Sequence, residues 1–227
     1  MPLENSTAQD DPQQDILISY LTLRKSIGIL GVLLPFILVI GVFTLSECKT
    51  IRPTISDYYY TGMGHVFVAI LCAVGLFLFT YKGYEKKDMI ASKLACVFAL
   101  AVSFFPTYGP DPSNLCNFLH RNSTQTVSTI HDISAASLFI TFAYFCLFLF
   151  VKTSGNPTPQ KVKRNKIYRV CGYAILASIL MVLLYSTVKP ITAALSSYKP
   201  IFIFETIALW AFGFSWLTKG EFILKDE

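Results

Sequence analysis

This chain has few charged residues. Asp, Glu, Lys and Arg make up 15% of its 227 residues, whereas hydrophobic residues make up 53% and the mean hydropathy is +0.53. An ordinary soluble domain carries about 25% charged residues. A chain this apolar has too few polar groups to cover its surface in water, so we predict a protein that is dissolved in a lipid bilayer.

Long polar segments are also missing, which excludes a separate soluble domain. Six apolar runs together fill half of the chain, and a spanning helix needs about 20 mostly apolar residues. We therefore predict an all-α polytopic membrane protein, a six-transmembrane-helix bundle with spans at 27–46, 64–81, 89–105, 133–151, 167–188 and 201–218. The chain then divides into a polar N-terminal tail (1–24), a membrane domain (25–218) and a C-terminal tail (219–227).

Basic residues are divided unevenly between the two sides of these spans. Fourteen of the 19 lysines and arginines lie in the tails and in alternate connections, and five lie on the other side. Because basic residues are retained in the cytoplasm, this bias predicts that both termini are cytoplasmic. The sequence has no basic patch with stacking aromatic residues, which is the pattern that would indicate a nucleic-acid partner. The predicted partners are membrane lipids, and the predicted location is a cell membrane, the bacterial inner membrane.

Cysteine is scarce, with six in the chain and no C-x-x-C pair. Four cysteines lie inside predicted spans, where the residue is usually a small packing side chain. Cys48 and Cys116 lie in the two larger external loops, where an oxidising compartment would allow them to pair. Two alternatives are open for them: a disulfide that ties the two loops together, or two unrelated thiols.

The few polar side chains of the membrane domain gather on the predicted outer side. Glu205 is an acid inside the sixth span, about 6 Å from its outer end at a rise of about 1.5 Å per residue. An ionised carboxylate is costly in lipid, so Glu205 indicates either a polar site or a structural bridge to Lys189 or Lys199. Topology places other polar residues at the same level, and we predict that they line an outward-facing pocket. The ligand-binding candidates are Arg52, Ser56, Asp57, Tyr59, His65, His131, Asp132 and Glu205.

Taken singly, several of these residues have simpler interpretations. Ser56 and Asp57 suit the cap of the second span, because short polar side chains satisfy free amides at a helix start. Tyr58, Tyr59 and Tyr60 suit an aromatic belt at the level of the lipid headgroups. The convergence of residues from three spans at one level is the argument for a pocket.

Motifs for known catalytic or cofactor sites are absent. The chain has no H-E-x-x-H, G-x-S-x-G, Walker A, dinucleotide or haem motif, and we predict no cofactor. A zinc ion held by His65, His131 and Asp57 stays open as an alternative. So does a serine nucleophile at Ser56, activated by His131 and an acid.

Three strings carry a family resemblance. TISDYYYTGMGHVFV (54–68), GLFLFTYKGY (75–84) and ETIALWAFGFSWLTKG (205–220) resemble a family of bacterial multi-span membrane proteins of unknown activity. The resemblance runs from about Leu23 to Lys219 and implies the topology and the bacterial membrane location.

A fainter resemblance is to the ceramidase and adiponectin-receptor-like membrane hydrolases. Ser56, Asp57 and Thr61-x-x-x-His65 are similar to part of their pattern. That likeness implies seven spans and a zinc site built from histidines, an aspartate and a nearby serine. The paired histidines of the family's last span are absent here.

Four functions follow as hypotheses. The first is binding of a lipid or small amphiphile in the outward-facing pocket. The alternative is a membrane-embedded hydrolase of lipids that uses the cluster of Ser56, Asp57, His65, His131 and Glu205. A transporter needs a polar path past mid-membrane, which one acid near one surface does not supply. A purely structural cluster predicts satisfied carboxylates and no cavity.

Overall fold

The computed structural model describes residues 12–45, 49–108, 123–153 and 155–225, with side chains from residue 19 onward. The described chain is helical and contains no strand. Its α-helices are α1 (Pro12–Leu45), α2 (Gly64–Thr80), α3 (Lys86–Phe104), α4 (Gln125–Tyr144), α5 (Pro159–Thr187), α6 (Lys189–Leu195) and α7 (Pro200–Lys219). A π-helical turn, Phe145–Leu149, continues α4, and short 3₁₀ helices cover Ser56–Tyr60 and Ser196–Tyr198.

The six long helices pack as a closed ring. Each of α1 to α5 contacts the next along the chain, α5 contacts α7, and α7 returns to α1. The short helix α6 lies against the end of α5. We call the end of the ring where α1 begins and α7 ends the terminal end, and the opposite one the loop end.

Four helices are long and apolar enough to cross a membrane. These segments are Ser19–Leu45, Gln125–Leu149, Pro159–Thr187 and Pro200–Lys219, while the apolar α2 is shorter. The outside of the ring is apolar as well: Ile40, Leu76, Val97, Ile140 and Leu180, each on a different helix, are more than half exposed. An exposed apolar surface of this kind is stable in lipid and costly in water, which fits a membrane protein.

Several helices begin earlier than the apolar runs predict. α1 begins at Pro12, inside the segment predicted as a polar tail. α4 begins at Gln125 because the Thr124 side chain accepts a hydrogen bond from the Val127 N–H, and Thr158 caps α5 in the same way. Hydropathy marks only the part of a helix that is apolar, whereas capping residues mark where the helix starts.

The terminal half of the ring is filled by aromatic side chains. Trp216 is fully buried and contacts the rings of Tyr81, Phe145 and Phe150 at centroid distances of 5.0 to 5.7 Å. One turn earlier on α7, Phe212 stacks on Phe142 at 3.8 Å. These rings close the centre of the bundle, so any space nearer the loop end is separated from the terminal end.

Candidate functional site

The stretch between α1 and α2 folds inward at the loop end. Its 3₁₀ helix buries Ser56, Tyr58 and Tyr60, with Tyr58 at 0% and Tyr60 at 1% exposure. Tyr58 accepts a hydrogen bond from the Arg52 N–H through its phenolic oxygen, and Tyr60 donates to the Thr107 carbonyl. Two of the three tyrosines are therefore core residues, and the prediction of an aromatic belt is wrong for them.

The start of α7 holds this stretch in place. The Lys199 ammonium donates to the Ile51 carbonyl, and the Phe202 N–H donates to the Pro53 carbonyl at 3.0 Å. The Glu205 carboxylate then accepts a hydrogen bond from the Ile55 N–H, with Oε2 at 2.6 Å from the nitrogen. Residues 51–55 thus run along the first turns of α7, and Ser56 follows directly.

Glu205 does not form the bridge to lysine that was one sequence alternative. Within the described chain, no ion pair joins its carboxylate to Lys189 or to Lys199. Its hydrogen-bond partner is a backbone amide, and the charges of Asp57 and Asp132 also act on it. Glu205 therefore contributes an acid to the loop end that no basic side chain of the described residues neutralises by direct contact.

Ser56 and His131 form a hydrogen-bonded pair. His131 is 3% exposed, with its Nδ1 at 2.7 Å from the Phe105 carbonyl and its Nε2 at 2.9 Å from the Ser56 hydroxyl. A carbonyl oxygen only accepts, so Nδ1 carries the hydrogen and donates to it. In the neutral ring Nε2 is then the acceptor, and the Ser56 hydroxyl donates to it. This is the arrangement in which an imidazole can take a proton from a serine.

A cavity runs inward from this pair. It is bounded by α1, α2, α3, α4 and α7, and its volume is about 50 Å³. Its walls are aliphatic and aromatic side chains, and its polar lining residues are Ser56 and Glu205. On α7 the lining extends from Glu205 to Phe212, about 10 Å at 1.5 Å per residue. We call this space the central cavity; its floor is the stacked pair of Phe142 and Phe212.

The size and the lining of the central cavity indicate its contents. A cavity needs about 10–15 Å³ to hold one water, and an apolar cavity of about 150 Å³ stays dry and accepts a small apolar molecule. The central cavity is larger than that minimum and apolar along its length. The lining suits a hydrocarbon segment with a polar group at Ser56 and Glu205, and such a segment would enter as the apolar side chains of the lining move apart.

The other predicted site residues lie around the pair rather than in it. Arg52 is buried beside Asp57, whose backbone N–H donates a hydrogen bond to the Thr54 hydroxyl oxygen at 2.9 Å. Burial raises the pKa of the Asp57 carboxyl, and the Arg52 charge opposes that shift. Asp57 does not cap α2, which begins at Gly64 without a side-chain cap. Tyr59 is half-buried and meets Tyr60 edge to face.

His65 and Asp132 are exposed. His65 lies in the first turn of α2, as predicted, and its side chain forms no hydrogen bond or ion pair to the described residues. Asp132 follows His131 on α4 and is exposed, and its charge acts on both His131 and Glu205. The structure therefore brings together Ser56, His131 and Glu205, and leaves His65 and Asp132 at the surface.

The zinc alternative stays a prediction, and it would require His131 to change partners. It needs His65, His131 and Asp57 together, and no three His, Cys, Asp or Glu side chains among the described residues gather as a metal-binding group. Both ring nitrogens of His131 already have partners. A metal ion would have to displace the serine or the carbonyl from that ring.

The cysteine pair lies outside the described residues, so the Cys48–Cys116 alternatives stay predictions. The described cysteines, Cys72, Cys96, Cys146 and Cys171, are free, and the last three are buried. They lie within α2, α3, the π turn and α5, as expected for packing residues.

Several groups of the site were missed by sequence reasoning. The Phe105 carbonyl and the Ile55 amide hold His131 and Glu205, but backbone groups have no residue signature in a sequence. The floor residues Phe142 and Phe212 read as ordinary apolar residues of their spans. One signal in the sequence pointed to Tyr58 and Tyr60. They lie between the polar pair Ser56 and Asp57 and the start of the second predicted span.

Comparison with known proteins adds no relative: no family model, no curated protein and no solved structure matches this chain. The two resemblances noted in the sequence stay predictions.

Proposed function

We propose that this protein holds the acyl chain of a lipid or other single-chain amphiphile in its central cavity, with the polar group at Ser56 and Glu205. The observation that carries the proposal is an apolar cavity that ends at one hydroxyl and one carboxylate. Small-molecule sites are typically apolar clefts with a few placed polar groups that set orientation. An amphiphile meets both parts of this lining at once.

In this proposal all six long helices span the membrane and both termini are cytoplasmic. The basic side chains concentrate at the terminal end, which supports its placement in the cytoplasm. The loop end, with Ser56 and Glu205, then faces the cell exterior or the periplasm. A ligand would enter from the outer leaflet or from a carrier on that side.

The first test is to fill the cavity. Ala135 lines the central cavity on α4, whereas its neighbour Ala136 does not. We expect Ala135→Phe to lower the amount of bound amphiphile about ten-fold or more, since overpacking costs about 1–3 kcal/mol. Native mass spectrometry of the detergent-purified proteins measures the adduct, and Ala136→Phe is the matched control.

Two results would count against binding in this cavity. One is a wild-type protein that carries no adduct after incubation with a single-chain lipid. The other is an equal loss of the adduct in Ala135→Phe and Ala136→Phe. Thermal stability of both variants, measured in the same detergent, separates a blocked cavity from a damaged fold.

A second candidate function, a lipid hydrolase, is favoured by the Ser56–His131 hydrogen bond. The Ser56 oxygen would attack the carbonyl carbon of an acyl ester while His131 Nε2 takes the hydroxyl proton. The ester C–O bond breaks, the leaving alcohol receives that proton, and water then hydrolyses the acyl-serine. The Phe105 carbonyl orients the imidazole in the place that a carboxylate holds in the common triad.

A fluorophosphonate with an alkyl chain tests the hydrolase directly. An activated Ser56 is expected to bond to phosphorus with loss of fluoride, and peptide mass spectrometry locates the label. Ser56→Ala should abolish labelling, and His131→Ala should slow it about 100-fold or more, the usual contribution of a general base. Wild-type protein that binds the amphiphile but is never labelled at Ser56 is a binding protein and not a serine hydrolase.

A further inference from the structure

A second pocket lies at the terminal end, on the far side of the aromatic rings. Its volume is about 520 Å³, and it is formed where the start of α1, the turn before α3, the connection from α4 to α5 and the end of α7 meet. Five basic residues line it against two acidic ones, Glu85 and Glu221. The basic residues are Arg24, Lys152, Lys161, Arg164 and Lys219. We call this space the basic pocket.

The two acids are engaged by two of the basic residues. Lys152 lies 2.9 Å from the Glu85 carboxylate, and Arg164 lies 3.8 Å from that of Glu221. The Glu85–Lys152 contact lowers the pKa of Glu85 and raises that of Lys152, as expected for an ion pair. The acids of the lining are thus matched, while the lining as a whole keeps an excess of positive charge.

Lys219 is the central observation. Its side chain is 9% exposed, and it forms no hydrogen bond or ion pair to any residue the structure describes. Its ammonium instead lies 4.8 Å from the ring centroid of Tyr84 and 5.5 Å from that of Phe150. The charges of Arg24, Lys161 and Arg164 repel it, and the charge of Asp88 attracts it. A buried cation that three like charges repel and that forms no ion pair is costly, so an anion in the basic pocket would reduce that repulsion.

Arg24 adds a second cation to the same place. It donates from Nη1 to the Lys219 carbonyl at 3.3 Å, and its guanidinium lies 4.3 Å from the ring centroid of Tyr20. Its buried Nε has no hydrogen-bond partner in the described part of the chain. Arg24 and Lys219 come from opposite ends of the sequence, and the α1–α7 contact brings them together.

A topology signal alone does not account for this arrangement. Basic residues that retain a loop in the cytoplasm act from exposed positions near the spans, as Lys163 and Lys166 do here. Lys219 is buried among rings and other cations, where the same charge destabilises the fold unless something binds to it. The placement of Lys219 suits a bound anion better than a topology signal.

We propose that the basic pocket binds a phosphate group, either of a soluble phosphate compound or of an anionic lipid headgroup. Phosphate suits this lining because a guanidinium fork and a lysine ammonium are its usual protein ligands. The volume of the basic pocket falls in the range of ligand sites, about 300–1,000 Å³. This site is separate from the central cavity, and the proposal for it does not depend on the function proposed for that cavity.

The experiment measures thermal stabilisation and binding with two probes. Inorganic pyrophosphate is titrated into protein in a neutral detergent, and phosphatidylcholine nanodiscs are compared with and without phosphatidic acid. We expect at least one probe to raise the melting temperature of the wild type, because a ligand of the folded state stabilises it by mass action. Stabilisation by pyrophosphate alone identifies a soluble ligand, and stabilisation by phosphatidic acid alone identifies a lipid headgroup.

Lys219→Met and Lys163→Met are the matched variants. Both remove one lysine at the terminal end, but Lys163 is exposed and does not line the basic pocket. Lys219→Met should weaken binding of the active probe about ten-fold or more, the weight of a charge-assisted hydrogen bond. Without a probe it should melt no lower than the wild type, since it removes a buried unpaired charge. Lys163→Met should bind like the wild type.

Two outcomes overturn the proposal. Failure of both probes to stabilise the wild type shows that the basic pocket takes no phosphate group. An equal loss of binding in both variants shows that general positive charge, and not this pocket, attracts the probe. Should Lys219→Met not fold, Lys219→Arg, which keeps the charge, must bind the probe for the proposal to stand.

Discussion

Replacement of Glu205 by alanine is expected to lower the thermal stability of the protein and to abolish binding of the amphiphile that we propose for the central cavity. The Glu205 carboxylate accepts the hydrogen bond of the Ile55 N–H at 2.6 Å, and Ile55 is buried. A buried donor that loses its acceptor costs about 1–3 kcal/mol. The free energy of unfolding in detergent should fall by an amount in that range.

The same substitution should also change the site. Without the carboxylate, residues 51–55 keep two contacts to the start of α7, from Lys199 and from Phe202. Ser56 follows directly on the released residue, so its hydrogen bond with His131 is expected to weaken. Loss of the one acid in the lining of the central cavity and displacement of its one hydroxyl should together remove the adduct in native mass spectrometry.

Glu205→Gln is the control that separates the two effects. Its amide oxygen can still accept from the Ile55 N–H, so the fold should be kept and the melting temperature should stay close to that of the wild type. A difference in the amount of adduct between Glu205→Gln and the wild type then measures the contribution of the carboxylate charge itself. Wild-type stability and wild-type adduct in Glu205→Ala would contradict the role given to this residue.

Gly213→Ala is expected to cause a large loss of stability, because it disturbs the contact between α1 and α7. A Cβ at Gly213 would lie 2.7 Å from the Gly28 carbonyl oxygen, 2.6 Å from Cγ2 of Val32 and 2.9 Å from the Val32 backbone nitrogen. Backbone atoms of a packed helix cannot give way cheaply, so the helices must separate. Overpacking of this kind costs about 1–3 kcal/mol, and we expect a loss of stability of that size.

Gly75→Ala is the matched control on α2. A Cβ there would meet Ala99 Cβ at 3.5 Å and the Cys96 carbonyl oxygen at 3.6 Å, which are ordinary contacts. Alanine is the better helix former by about 1 kcal/mol, so this variant should be unchanged or more stable. Opposite signs for the two substitutions, measured by thermal unfolding in one detergent, identify close helix approach as the cause. Equal effects would mean that the α1–α7 distance is not limiting.

Gly213→Ala should also affect both sites of the molecule. Arg24 and Lys219 meet in the basic pocket because α1 and α7 are in close contact. A wider separation of these helices should weaken binding of a phosphate probe there. Because α1 and α7 also bound the central cavity, the variant is best used as a test of packing, with the site variants kept for the sites.

The sequence alone determined the helices and the level of the polar residues along them. In the described chain each of the six apolar runs lies in one long helix or its π-helical continuation, except for one or two residues at the end of some runs. A chain with so little charge can satisfy its backbone in lipid only by helix formation. Glu205, Ser56 and His131 were placed at one end of the bundle by counting residues along these runs. Helix starts were less well predicted, since Thr124 and Thr158 extend α4 and α5 into polar sequence.

Only the tertiary structure decided which of these residues face one another. The helices are apolar over most of their circumference, so the sequence does not reveal which face of each one points into the ring. His131 and Asp132 are neighbours, and the sequence makes both of them candidates for the pocket lining. Packing buries His131 and leaves Asp132 exposed. Partners such as the Phe105 carbonyl and the Ile55 amide are backbone groups that every residue has. The basic pocket joins residues from both ends of the chain, and their proximity follows from the α1–α7 contact rather than from any local pattern.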